Sequence, residues 1–230
     1  MIRECIVLAG GLGTRLRSVV ADKPKCMAPV GAHPFLYYLL QYLNRQGITH
    51  AILSLGYKSE QVIDWCTKTD LPLEVSFAIE QEPLGTGGAI LLAQEYLKGN
   101  ECFITNGDTF FEVDLPGLYN FHQQHNSALT LALKPMQGFE RYGSVQLNDK
   151  GMITAFLEKQ FCTEGLINGG IYLTSAQYLQ SLHLPQQFSF EKEVLEAQIK
   201  SGSLYGYISD TYFIDIGIPA DYERVQADLG

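Results

Sequence analysis

No stretch of the 230 residues approaches the roughly 20 consecutive apolar residues that a membrane-spanning helix needs. The N-terminus also lacks a signal-type apolar core, because Gly10, Gly11 and Arg15 interrupt the run that opens at Cys5. Neither export by that route nor membrane insertion is expected, and the cytoplasm is the expected compartment. Cysteine is sparse and unpatterned: Cys5, Cys26, Cys66, Cys102 and Cys162 are odd in number, far apart, and form no C-x-x-C pair. Neither a disulfide framework nor a zinc site is therefore expected. Basic residues are outnumbered, 16 Lys and Arg against 25 Asp and Glu, giving a formal charge of -9. Such a surface repels nucleic acid and anionic membranes, so neither is an expected partner. An anionic ligand must then be met by cations placed locally. No Ser/Gly linker, repeat or charge block divides the chain, and one continuous domain over 1–230 is expected.

What is present is a globular composition, 46% hydrophobic and 18% charged, sufficient for a large core. Short β-favouring runs occur at 5–9, 51–55, 75–79, 102–105 and 129–133, several apolar on consecutive positions as in strands buried on both faces. Helical periodicity lies between them at 34–46 and 89–97. This alternation predicts an α/β fold with a mostly parallel sheet. Beyond about 134 the rhythm changes to strands at 144–147, 153–157 and 170–173 around the turn Asn148-Asp149-Lys150-Gly151, with helices expected only at 176–182 and 190–200. Antiparallel pairing is expected there. On the polar helix over 118–125, His122 and His125 read as a solvated face, because no third ligand accompanies them.

The stretch LAGGLGTRLRSVVADKPKCMAPVG follows the first apolar run directly. Glycines there let backbone N–H groups approach an anion closely. The pattern is not a dinucleotide fingerprint, since Leu16 stands where its third glycine belongs, and it lacks the Gly-Lys-Ser/Thr of a P-loop. What remains is a glycine turn with two cations, Arg15 and Lys25, suited to a polyphosphate. Asn106-Gly107-Asp108 follows an apolar strand, where ligands of α/β sheets collect; by its residues alone it serves a turn as well as a metal. Asp215, a lone acid between Ile214 and Ile216, needs a partner such as a cation.

GGLGTRL followed by DKPKCMAPVG resembles the signature of the sugar-1-phosphate nucleotidyltransferases, with Cys26 in place of the customary proline. EPLGTGGA at 82–89, NGD at 106–108 and FIDIG at 213–217 match in order. The wording of RYGSV, FLEK, INGGIYL, FSFEKEVL and FIDIGIPADYERV is most similar to the guanylyltransferases acting on D-glycero-D-manno-heptose 1-phosphate. The resemblance implies a Rossmann-like, mostly parallel sheet flanked by helices, with a nucleotide-binding half over about 1–134 and a smaller antiparallel sugar-phosphate half over about 135–230. It also implies an Mg²⁺-dependent enzyme that uses GTP and a sugar 1-phosphate and serves surface-polysaccharide synthesis; a homo-oligomer is compatible with it.

Residue by residue, the resemblance assigns Arg15, Lys25 and Asp108 to catalysis and Asp108 with Asp215 to Mg²⁺. Nucleotide binding falls to Leu8, Ala9, Gly10, Gly11, Gly13, Thr14, Arg15, Glu80, Gln81, Pro83, Gly85, Thr86, Gly87, Asn106 and Gly107, with Glu80 or Gln81 reading the base. The sugar phosphate falls to Lys25, Tyr142, Gly143, Glu158, Lys159, Asn168, Gly169 and Gly170. Uridylyl or thymidylyl transfer to another sugar 1-phosphate stays open, because no physical rule reads the base from these residues. Readings of other classes are a glycosyltransferase using a finished nucleotide sugar, which would release a nucleoside diphosphate, and a non-catalytic nucleotide-sugar-binding subunit.

Overall fold

The computed structural model describes residues 2–11, 20 and 22–230. In chain order they form β1 (Glu4–Leu8), β2 (Pro29–Val30), β3 (His33–Pro34), α1 (Phe35–Arg45), β4 (His50–Leu55), α2 (Ser59–Lys68), β5 (Glu74–Ile79), α3 (Gly85–Ala93), β6 (Glu101–Asn106) and β7 (Thr109–Phe111). Then come α4 (Leu115–Gln124), β8 (Leu129–Phe139), β9 (Ser144–Leu147), β10 (Ile153–Leu157), β11 (Cys162–Ser175), α5 (Ala176–Ser181), β12 (Leu204–Ile208), β13 (Phe213–Asp215) and α6 (Pro219–Leu229).

Among the described residues one nine-stranded sheet dominates, in the order β10-β9-β11-β6-β1-β4-β5, with β8 paired to β11 and β12 to β8. Strand β1 runs parallel to both β4 and β6, and β4 parallel to β5. The antiparallel part begins where β11 joins β6 and continues through β9, β10 and β8. Both expected halves therefore share one sheet. A separate antiparallel pair, β7 with β13, opposes Thr109 to Asp215.

The core follows the apolar pattern. Helix α1 buries Phe35, Leu36, Leu39, Leu40 and Leu43, the predicted stripe, and adds Tyr42, whose Oη donates to the Val113 carbonyl at 2.7 Å. Strands β1 and β4 are buried along nearly their whole length, which explains their unbroken apolar runs. At the sheet's opposite end Glu4 is buried, meeting His50 Nδ1 at 2.8 Å and accepting the N–H groups of Lys98 and Gly99.

Several expectations need correction. Helix α3 begins at Gly85 and ends at Ala93, because the chain before the apolar stretch packs as helix against 186–190. The helix expected over 190–200 is a π-helical turn, Glu191–Glu196, followed by a 3₁₀ turn at Ile199–Ser201. Helix α2 escaped the periodicity reading because only Val62 and Cys66 are buried on it. Helix α6 begins with Pro219 and carries Asp221 in its first turn, start signals that its single buried residue, Val225, does not reinforce. His122 is not solvated: it is buried, its Nδ1 lies 2.8 Å from Thr130 Oγ1, and burial holds the ring below its usual 6.5 against the pull of Glu101.

Candidate active site

The parallel strands end together, and β1 is the switch point between β4 on one side and β6 on the other, the place where α/β sheets bind ligands. Gly10 and Gly11 leave β1, Gly56 and Tyr57 leave β4, Glu80 leaves β5, and Asn106 to Asp108 leave β6. Between them lies a cleft of about 670 Å³ whose walls include Leu8, Gly10, Gly11, Glu80, Gln81, Pro83, Gly85, Thr86, Asn106 and Asp108. A side chain at Gly10 would place its Cβ 2.8 Å from Glu80 Oε1 and 3.1 Å from the Gly56 nitrogen, so the glycine lets three strand ends converge. Gly13, Thr14 and Arg15 lie outside the described residues.

Three expected nucleotide ligands are turned into the fold instead of the cleft. Ala9, Gly87 and Gly107 are buried, and their N–H groups are taken by the carbonyls of Ser54, Phe188 and Leu8. Gly87 is glycine because the Phe188 ring occupies the position of a Cβ. Thr86 is tied to the same neighbour: its Oγ1 donates to Glu191 Oε2 at 2.7 Å and accepts the Phe190 N–H at 2.9 Å. Glu80 commits one oxygen to the Leu84 N–H at 2.9 Å, closing the loop, and leaves Oε1 beside Gly10.

A second cavity, about 530 Å³, adjoins the first and is lined by Tyr142, Gly143, Glu158, Lys159, Asn168, Gly169, Gly170 and Asp215. Every residue expected at the sugar phosphate apart from Lys25 is on that wall. Glu158 and Lys159 follow β10, exposed and without an ion-pair partner among the described residues. They are therefore free to meet a ligand. Within β11 the pairing with β8 is irregular between Asn168 and Tyr172, and Gly170 sits there at φ +74°. Asn168 holds this bulge, accepting the Gly170 N–H at 3.0 Å and donating to Tyr172 Oη at 2.9 Å. Any side chain at Gly170 would collide with Asn106, so the bulge brings the two halves of the site together. Burial, with Asp215 nearby, pushes the Tyr142 hydroxyl up to about 12.

Lys25 ties a wall residue of one cleft to a wall residue of the other. Its Nζ lies 2.5 Å from Asp108 Oδ2 and 3.3 Å from Asp215 Oδ1, with only 12% of the side chain exposed. Pairing of β7 with β13 carries Asp215 across 107 positions of sequence to Asp108's side of the sheet, and Ile216 N–H bonds the Asp108 carbonyl at 3.1 Å. Cys26, in the proline position, is buried, and burial pushes its thiol up to about 12, so it fills core space. Among the described residues no group of three or more His, Cys, Asp or Glu side chains is arranged to hold a metal ion by itself. The two carboxylates are hard oxygen donors suited to a cation that takes its remaining ligands from phosphate and water.

Sequence reasoning did not assign Arg141, Glu191 or Tyr172, all on the second cavity's wall. Arg141 is held by Asp221 of α6 at 2.6 Å. Their signals were present in RYGSV, FSFEKEVL and INGGIYL, but the contacts that give them roles span up to 105 positions.

The sequence matches the nucleotidyl transferase family over residues 4–230. The chain belongs to that family. This nucleotidyl transferase is 48% identical over 226 residues to the D-glycero-alpha-D-manno-heptose 1-phosphate guanylyltransferase of Aneurinibacillus thermoaerophilus, covering 98% of both chains. It is 44% identical over 219 residues to the enzyme of the same name from Campylobacter jejuni subsp. jejuni, covering 95% of this chain and 96% of the relative. The fold superimposes on the crystal structure of HddC from Yersinia pseudotuberculosis complexed with GMP-PN, with a TM-score of 0.89, 36% identity and full coverage of both chains. No helix among the described residues is long and apolar enough to cross a membrane.

Proposed function

We propose that this nucleotidyl transferase moves GMP from GTP to D-glycero-α-D-manno-heptose 1-phosphate, releasing pyrophosphate and forming GDP-heptose. One observation carries the reading: two adjoining clefts share the wall residues Asn106 and Glu191, and Lys25 bridges Asp108 on the wall of one to Asp215 on the wall of the other. Nucleotidyl transfer needs that layout. An acceptor phosphate oxygen must attack the α-phosphorus in line while pyrophosphate leaves, so catalysis consists of positioning two anions and offsetting their charge. The identities of the relatives supply the base and the sugar.

Lys25, paired with an acid of each cleft, is assigned to the α-phosphate or the incoming sugar phosphate. Asp108 and Asp215 would hold Mg²⁺, which supplies charge neutralisation and orientation of the phosphate oxygens when bound. Glu80 and Gln81, at the cleft's far wall, offer acceptors to the amino and N1–H groups of guanine. Glu158, Lys159 and Asn168 offer the acceptor sugar and its phosphate a carboxylate, an ammonium and an amide.

The test supplies D-glycero-α-D-manno-heptose 1-phosphate, mannose 1-phosphate and glucose 1-phosphate in turn with each of GTP, ATP, UTP and dTTP. GTP with the heptose phosphate should give the highest kcat/KM. Equal rates with UTP would remove the guanine assignment, since buried acceptors left unpaired discriminate strongly between bases.

A further inference from the structure

Glu191 belongs to both clefts, and its two oxygens are in different circumstances. Oε2 accepts from Thr86 Oγ1 at 2.7 Å and from Ser189 Oγ at 2.9 Å, which fixes it to the nucleotide-side loop. Oε1 has no hydrogen-bond partner among the described residues. The segment carrying Glu191 is bound to that loop throughout: Phe188 N–H to the Leu84 carbonyl, Gly87 N–H to the Phe188 carbonyl, and Gln187 Nε2 to the Pro83 carbonyl. Glu191 also opens a π-helical turn, a geometry concentrated at functional positions.

The same segment reaches the acceptor side. Phe190 packs edge-on against Tyr172 with ring centroids 5.1 Å apart, and the negative charge of Glu191 adds to burial in raising the Tyr172 hydroxyl. Tyr172 Oη is bonded to Asn168, which holds the Gly170 bulge against Asn106. A contiguous set of contacts therefore runs from Thr86 through Glu191, Phe190, Tyr172 and Asn168 to the residue at the end of β6. Contiguity alone does not make two sites communicate; a differential interaction must drive it. The unpartnered Oε1 supplies one, because an acceptor hydroxyl that donates to it would restrain the carboxylate whose other oxygen positions Thr86.

We propose that Glu191 couples the two clefts, so that binding of the sugar 1-phosphate tightens binding of the nucleoside triphosphate through the Glu191–Thr86 hydrogen bond. Glu191 is then a positioning residue for the nucleotide loop, and the inference rests on the nucleotidyl-transfer reading above. Coupling of this kind is reciprocal: the triphosphate must tighten the sugar phosphate by the same factor.

The experiment is calorimetric titration with the α,β-methylene analogue of GTP, which cannot be cleaved, with and without saturating D-glycero-α-D-manno-heptose 1-phosphate at fixed Mg²⁺. The wild-type Kd for the analogue should fall about 5- to 50-fold when the sugar phosphate is present, and the reverse titration should give the same factor. Glu191→Ala and Thr86→Val should bring the factor within about twofold of one, and Glu191→Gln, whose amide oxygen can still accept from Thr86 but whose NH2 then stands in place of the free acceptor oxygen, should lose most of it as well. Thermal melting establishes that each variant is folded, and Thr86→Val carries the test where Glu191→Ala is not. A wild-type factor of one, or an unchanged factor in both Thr86→Val and Glu191→Ala, overturns the coupling and leaves nucleotidyl transfer standing. Failure of the wild-type protein to bind either ligand overturns both.

Discussion

Lys25 Nζ lies 2.5 Å from Asp108 Oδ2, although the two residues are 83 positions apart and stand at the ends of different chain segments. The contact joins the glycine-rich N-terminal region to the end of β6. Replacing Lys25 with Ala removes a preorganised cation where phosphoryl charge is redistributed, a loss that typically costs on the order of 10²- to 10³-fold in rate. The expected outcome is a fall of that size in kcat with GTP, with a smaller change in KM. A change confined to the KM for GTP would assign Lys25 to ground-state binding alone.

Asp108→Asn and Asp215→Asn keep shape and remove charge. Each should nearly abolish turnover while leaving the melting temperature close to wild type, since both side chains are partly exposed, 37% and 25%. Isothermal titration of Mn²⁺ in the presence of the uncleavable GTP analogue reads the metal directly, and both variants should bind it more weakly. Unchanged Mn²⁺ affinity in Asp108→Asn would reject the metal assignment.

The first turn of α3, after Leu84, supplies a packing prediction. A Cβ at Gly88 would run into the Gln186 backbone carbonyl and one at Gly87 into the Phe188 ring, whereas one at Gly11 meets nothing within 4 Å. Gly88→Ala should therefore cost about 1–3 kcal/mol, the usual range for overpacking a fixed backbone, and Gly11→Ala should leave global stability near wild type. Urea unfolding of the two variants decides this; equal midpoints would contradict it.

Glu4 gives a pH dependence. Burial would raise its pKa, but the Lys98 and Gly99 amides and the His50 ring outweigh this and hold it below its usual 4.5. The unfolded chain then takes the proton more readily than the native one. The contribution is complete above about 4.5 and is lost as pH falls through the lower native value. Urea midpoints should drop less steeply below pH 4.5 in Glu4→Gln than in the wild type, and parallel profiles would show that Glu4 does not set the acid limb.

How far the sequence spoke depended on the range of the interaction. The apolar stripe of α1 and the Asn148–Gly151 turn are local, and each is found where its pattern put it, with Asn148 Oδ1 accepting the Lys150 N–H at 3.0 Å. Asp108, Asp215, Glu158 and Asn168 were legible through motif resemblance, and the sheet brings them to adjoining walls. Glu191 and Arg141 were not assigned because their partners, Thr86 and Asp221, lie 105 and 80 positions away and no periodicity encodes such contacts. Gly87 read as a ligand-facing glycine because the sequence does not reveal that Phe188 fills the space beside it.

The fate of the phosphates tests the account most directly. In a ³¹P NMR time course of the protein with GTP, D-glycero-α-D-manno-heptose 1-phosphate and Mg²⁺, the signals of GTP and of the sugar phosphate should decay together. A sugar-linked diphosphate and pyrophosphate should appear in equal amounts. Release of GDP and inorganic phosphate from GTP, or decay of GTP with the sugar phosphate untouched, would contradict transfer of GMP between the two clefts.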